Sequence, residues 1–165
     1  MTSFQRRKDI GDVHEQCVAR ELDERGWTVD EWGQGALSPV ARAALRGTDS
    51  FLRWTPDLIA ARGRHLFMID CKSRMTSHAT GRHAVEAAAV TAHLQLAAWT
   101  QLPVCYVFDN LDVLTPLDVL MTGRIGPHSV RGSGSPYHLV PMQRALAFDT
   151  VFGEVPGDAR QLPAA

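Results

Sequence analysis

Apolar and polar positions along this chain follow two periods, and the switches between them predict its elements. Over residues 9–26, Ile10, Val13, Cys17, Val18 and Leu22 recur at helical spacing, and Gly26 supplies a C-terminal stop. Trp27-Thr28-Val29 with Trp32 then alternates in β-favouring residues and reads as a first strand. Residues 33–54 form a long excursion. Within it, Ser38-Pro39 is an N-cap followed by proline at the first helical position, which opens a short helix over VARAALR. Residues 57–61 and 65–71 read as two strands joined by a turn at Arg62-Gly63. A second long helix is expected from Thr80 or Gly81 to about Leu102, because HAVEAAAVTAHLQLAAWTQL is alanine-rich and free of breakers. Pro103 ends it, and residues 104–108 form a buried strand. Beyond Asp109, Thr115-Pro116 caps a helix over PLDVLM, and RIGPHSVRGSGSP reads as a loop. Residues 137–140 read as a late strand and 146–152 as a last apolar element. The order α-β-β-β-α-β predicts an α/β fold, a mixed central sheet flanked by helices.

Length and composition narrow the picture further. At 165 residues one domain is expected over 1–154, with 33–54 as an insertion, 109–154 as an extension of the core and 155–165 as a disordered tail. No apolar run approaches a membrane span, and the first residues lack the apolar stretch of a secretory signal. Cys17, Cys71 and Cys105 form no CxxC pair, so free thiols in a reducing, cytoplasmic setting are expected. The net charge of −1 argues against whole-molecule attraction to nucleic acid. Any such contact needs a local patch. Candidates are Arg6-Arg7-Lys8, then Arg42, Arg46 and Arg53, then Arg62, Arg64, Arg74 and Arg82.

The chemistry concentrates in TPDLIAARGRHLFMIDCKSR. Side chains two apart on a strand share a face, so Asp70 and Lys72 project together with Leu66 and Met68, while Phe67, Ile69 and Cys71 take the other face. The returning strand brings Asp57 beside them. Apolar residues on both faces suggest a strand covered on both sides, where two charges are costly unless they bind something or reach solvent at its end. Fifteen of the seventeen basic residues are arginine, so a lysine here is not the default cation. Two carboxylates and an ammonium at one sheet edge suit Mg2+-dependent phosphodiester hydrolysis. The bland alternative is a surface hairpin with an incidental Asp/Lys pair.

These residues resemble the PD-(D/E)xK nuclease superfamily, the restriction-endonuclease-like fold with its αβββαβ core. Over residues 9–32 and 55–108 the chain is most similar to archaeal-type Holliday-junction resolvases. Gly11-x-x-x-Glu15, Gly26-Trp27-x-Val29, Pro56-Asp57-Leu58-Ile59-Ala60, Ile69-Asp70-Cys71-Lys72 and the passage from Leu96-Ala97-Ala98-Trp99 to Pro103-Val104-Cys105-Tyr106-Val107-Phe108 carry the likeness. Asp70 stands where glutamate is commoner, the excursion is longer than a compact resolvase carries, and lysine-rich character is lacking. The resemblance implies a Mg2+ site, with Mn2+ as substitute, formed by Asp57, Asp70 and the Cys71 backbone carbonyl. It also implies that Glu15 joins them as a direct or water-bridged ligand; by periodicity alone Glu21 is a rival, since Glu15 falls at the edge of the apolar arc.

Lys72 is expected to position the attacking water. Ser73, Arg74, Arg82, His83 and Gln95 are expected to contact DNA, and the resemblance alone implies that Gln95 and His93 face the active site near the metal. A His83/Glu86/His93 metal site lacks a motif, and solvated histidines are the simpler reading. The expected function is a metal-dependent deoxyribonuclease, possible on branched DNA and as a two-fold homodimer. The alternatives are a non-catalytic nucleic-acid-binding or assembly module, and an unrelated hydrolase of small phosphoesters.

Overall fold

The computed structural model describes residues 3–126 and 136–156. The alternation read at residues 57–71 becomes a hairpin. Leu58–Arg62 (β2) and His65–Lys72 (β3) pair antiparallel from Leu58↔Ile69 to Arg62↔His65. Gly63 makes the turn at φ +60°, a conformation open to glycine without a side-chain clash. Thr28–Glu31 (β1) adds to the outer edge of β2. On the other side of β3, Val104–Phe108 (β6) runs parallel to it, with Tyr106 level with Asp70 and Phe108 level with Lys72. Asp112–Leu114 (β7) and Leu146–Ala147 (β10) complete a six-stranded sheet ordered β1-β2-β3-β6-β7-β10. The sheet is mixed, because the parallel β3–β6 pair is flanked by antiparallel ones.

Each face of the sheet has its own apolar layer. Ser3–Glu24 (α1) and Phe148–Phe152 (α5) bring Val18, Leu22, Phe148 and Phe152 onto Leu58, Ala60, Ile69, Cys105 and Val107. Trp27 closes this layer, its indole N–H donating to the Phe152 carbonyl at 2.8 Å. On the opposite face, Ala87–Thr100 (α3) and Pro116–Thr122 (α4) set Val90, Leu94 and Val119 against Tyr106, Phe108 and Leu114. A parallel pair needs a crossover, and α3 is the helix that makes it between β3 and β6. The expected start of α4 holds: Thr115 and Asp118 form a reciprocal capping box that satisfies two otherwise orphaned N–H groups.

The long helix expected from residue 80 or 81 begins only at Ala87. Arg82–Glu86 (β5) is a strand, paired antiparallel with Tyr137–Pro141 (β9). Thr76–Ser77 (β4) and Arg124–Gly126 (β8) flank them in a four-stranded sheet ordered β4-β5-β9-β8. HAVE is alanine-containing but also alternates, and pairing with a strand more than fifty residues away outweighs its local helical preference. Arg124–Gly126 likewise leaves the expected loop to become β8. The remaining loop residues 127–135, and the tail from residue 157, lie outside the described residues.

Within the excursion, Pro39–Arg46 (α2) is capped as expected, the Ser38 hydroxyl accepting from the Ala41 amide at 3.2 Å, and none of its residues is buried. The excursion starts and ends against one strand end. The Trp32 amide donates to the Asp57 carbonyl at 2.7 Å. Gly33, at φ +72°, lies so close to the Pro56 carbonyl that a Cβ there would collide with it. Among the described residues no helix is long and apolar enough to cross a membrane.

Candidate active site

The hairpin register continues one step past Leu58↔Ile69, which sets Asp57 beside Asp70. Two backbone links hold it there. The Asp57 amide donates to the Ile69 carbonyl at 2.9 Å, and the Asp57 carboxylate accepts from the Cys71 amide at 2.8 Å. Asp70 is only 8% exposed. Its Oδ2 lies 2.6 Å from the Lys72 ammonium, the i, i+2 neighbour on the same face. Lys72 also sits over the Tyr106 ring, 5.3 Å from its centroid.

From α3, one turn and a half beyond its start, His93 reaches down to the same place. Its Nδ1 lies 3.0 Å from the Tyr106 hydroxyl and 3.5 Å from Asp70 Oδ2. Its Nε2 bonds the carbonyl of Trp54, at the end of the excursion. The structure therefore brings Asp57, Asp70 and Lys72 together, with His93, which the resemblance set facing the site, and with Tyr106 added.

Electrostatics divide the two aspartates. Burial, reinforced by the charges of Asp70 and Glu15, pushes the Asp57 carboxyl well above the ordinary carboxylate range. Burial acts on Asp70 in the same direction, but Lys72 and then His93 outweigh it and hold its carboxyl below the ordinary value. For Lys72, burial works against the charged form, yet the attraction and hydrogen bond of Asp70 leave it above its ordinary value. His93 is pushed down by burial despite Asp70. Burial also raises the Cys71 thiol well above its usual range, helped by the charges of Asp57, Asp70 and Glu15, so Cys71 is a neutral thiol here.

Of the two helix carboxylates, Glu15 is the one whose charge is felt at Asp57 and Cys71. Glu21 accepts instead from Arg25 at 2.9 Å, and Arg25 also binds Asp149. Among the described residues no three His, Cys, Asp or Glu side chains close into a ready-made metal cage. The Asp57 and Asp70 carboxylates are turned toward the Cys71 amide and the Lys72 ammonium respectively.

The expected DNA-contacting residues separate. Ser73 is half-buried and Arg74 exposed, directly beyond Lys72, and Arg82 is exposed on β5. His83 is elsewhere. It is fully buried on β5, stacked on Phe108, with its ring nitrogens at Thr76 and Asp112, so it presents no polar atom to a ligand. Because β5 is a strand, His83 and Glu86 share no helical face. Gln95 is on α3 with its Oε1 buried and without a hydrogen-bond partner. Tyr106 has no role legible in the sequence, because its place level with Asp70 depends on the register of β6 against β3.

No protein-family profile matches the chain, and no curated protein matches it in sequence. Solved structures do. A Holliday junction resolvase from Archaeoglobus fulgidus aligns over 87% of this chain and 96% of its own, at 14% identity and a TM-score of 0.53. A nuclease from a fusselovirus aligns over 92% of this chain and 91% of its own, at 11% identity and a TM-score of 0.49. The likeness to the resolvase, together with the mixed sheet flanked by helices, shows that this chain has the restriction-endonuclease-like fold.

Proposed function

From a restriction-endonuclease-like fold with buried acids and one lysine at the end of its central hairpin, we propose a divalent-metal-dependent deoxyribonuclease. The observation that carries this is the charge imbalance. Burial and then the charges of Asp70 and Glu15 raise the Asp57 carboxyl, and the Lys72 ammonium, bonded to Asp70, offsets only part of that rise. A carboxyl pushed up by burial first and by acidic neighbours second is one that a cation would stabilise, and its oxygen donors suit a hard cation. Asp57, Asp70 and the Cys71 carbonyl would hold Mg2+, or Mn2+ in its place, with Glu15 directly or through water. When bound, such a cation supplies Lewis-acid stabilisation of charge on a phosphoryl group.

The protein's own groups supply the rest. Lys72 has three N–H donors, one of which faces Asp70; the others remain for a phosphoryl oxygen or the attacking water. Ser73 and Arg74 follow at the mouth, and Arg74 holds a left-handed φ of +58°, a strain that recurs where function fixes the backbone. With Arg82 they form the DNA contact, and Gln95 on α3 keeps a buried acceptor without a partner. A junction or other branched duplex is the substrate to try first.

The test is cleavage of linear duplex, supercoiled plasmid, single strand, flap and four-way junction, with Mg2+, with Mn2+ and with chelator. Metal-dependent cutting that Asp70→Ala abolishes is the expected result. One observation favours a second reading, a DNA-binding module without catalysis: Lys72 is already matched by Asp70 at 2.6 Å. Under that reading the whole panel is bound but uncut.

A further inference from the structure

His93 is 1% exposed, and three groups from three different elements surround its ring. A carbonyl oxygen can only accept, so the contact with Trp54 places a proton on Nε2. At neutral pH an imidazole is ordinarily uncharged, which leaves Nδ1 with its lone pair. The Tyr106 hydroxyl, 3.0 Å away, then donates to Nδ1. Having donated its proton, the Tyr106 oxygen keeps only acceptor capacity, and it belongs to the ring over which the Lys72 ammonium sits.

Nδ1, its one lone pair taken by Tyr106, stands 3.5 Å from Asp70 Oδ2. The ring thus bounds Asp70 on the α3 side, while the same Oδ2 bonds Lys72 at 2.6 Å. The other end of the ring is tied to the last residue of the Phe51–Trp54 turn, and Thr55 and Pro56 are all that separate Trp54 from Asp57. One imidazole therefore spans Asp70 on β3, Tyr106 on β6 and the segment that delivers Asp57.

We propose that His93 is a positioning residue of this site: its Nε2–H anchors Trp54, and its Nδ1 orients Tyr106 and Asp70, so that both aspartates and Lys72 are held in one geometry. The proposal rests on the nuclease reading above. It also gives the excursion a role, because residues 33–54 end at the anchored carbonyl and begin at Gly33, packed on Pro56.

The test has two arms. The first is nitrogen-15 NMR of the histidines in the metal-free protein at neutral pH, for wild type and Tyr106→Phe. The expected spectrum shows one ring protonated at Nε2 and bare at Nδ1, and Tyr106→Phe moves that Nδ1 resonance while leaving Nε2–H in place. An Nδ1–H tautomer, or an Nδ1 resonance indifferent to Tyr106→Phe, overturns the proposal. The second arm is single-substrate kinetics of His93→Phe and Tyr106→Phe. Misplacement of reacting groups by about 1 Å costs roughly 10²-fold, so kcat is expected to fall by that order in His93→Phe and less in Tyr106→Phe, with KM for DNA within about two-fold. Unchanged kcat with a raised KM overturns it in favour of a purely DNA-contacting excursion. Tyr106→Phe keeps this arm decisive if His93→Phe does not fold. A wild type that cuts no DNA overturns the nuclease reading and the positioning role with it, even where the spectrum shows the expected tautomer. Cutting that both variants retain in full overturns the positioning role alone.

Discussion

Two buried histidines in this protein face acids, and they do so in opposite ways. His83 sits on the second sheet with its nitrogens at Thr76 and Asp112. Thr76 in turn donates to Asp109, and Asn110 donates to Asp112 at 2.8 Å. Each polar group in that chain has a partner, and its acids reach solvent. His93 sits over the main sheet among Asp57, Asp70, Lys72 and Tyr106, where the acids are buried and one lysine is shared. The first arrangement gives both ring nitrogens of a buried imidazole a polar partner, and the acids behind them reach solvent. The second sets two buried carboxyls beside one lysine, an arrangement that costs stability when both are ionised and no ligand completes it. Two kinds of buried polar network are thereby distinguished within one chain, and the proposed site is the one with buried acids.

The comparison breaks most visibly at Asp57. Asp57→Asn removes a carboxylate that the proposed cation needs, and cleavage is expected to fall by at least about 10²-fold in a plasmid assay. The same change relieves repulsion, so the melting temperature without metal should stay level or rise. A fall in both would place Asp57 with the structural residues. Mg2+ is the next lever. By linkage, a cation at a hundred times its Kd stabilises the fold by about 2.7 kcal/mol, an increase visible in thermal unfolding and absent from Asp57→Asn. No shift in the wild type would contradict the metal site.

At the other histidine, His83→Leu takes one hydrogen bond each from Asp112 and Thr76, which keep Asn110 and Asp109, and is expected to cost about 2 kcal/mol in urea unfolding, with kcat per folded molecule unchanged. Loss of kcat there would blur the distinction between the two networks.

The smallest expected effect is on pH dependence, and the two networks differ in sign. Burial lowers the proton affinity of His83, outweighing the pull of Asp112. Its contribution to stability is therefore present above the unfolded value of about 6.5 and is lost as pH falls through the lower folded value. Asp57 is raised in the folded state, so its protonation does the reverse and favours folding as the pH drops through that raised value. Urea midpoints between pH 7.5 and 5 should fall less steeply in His83→Leu than in the wild type, and more steeply in Asp57→Asn. Parallel curves would deny both assignments.

The sequence made the main-sheet hairpin legible because its information is local. Alternation gave β2 and β3, Arg62-Gly63 gave the turn, and a two-residue spacing put Asp70 and Lys72 on one face. The second sheet was not legible. Its central pair joins Arg82–Glu86 to Tyr137–Pro141, and nothing near Arg82 shows that distant strand. Without it, an alanine-rich stretch reads as helix, and His83 reads as a surface group rather than a buried one. The candidate site divides along the same line. Asp57, Asp70 and Lys72 follow from one hairpin, whereas Tyr106 and the grip of His93 on Trp54 require β6, α3 and the excursion to be packed together. The choice of Glu15 over Glu21 needed the position of Arg25, which claims Glu21.

The most direct test of the account is Lys72→Ala, with DNA binding and cleavage measured on the same preparation under Mg2+. Lys72 is the group that separates a catalyst from a binding module, because it has no part in holding the chain to duplex DNA at a distance from the scissile bond. The account predicts affinity within a few-fold of wild type and cleavage reduced by about 10²-fold or more, the loss typical when a transition-state donor is removed. Cleavage that survives in Lys72→Ala, or affinity that falls in step with it, would contradict the assignment of Lys72 to the chemistry.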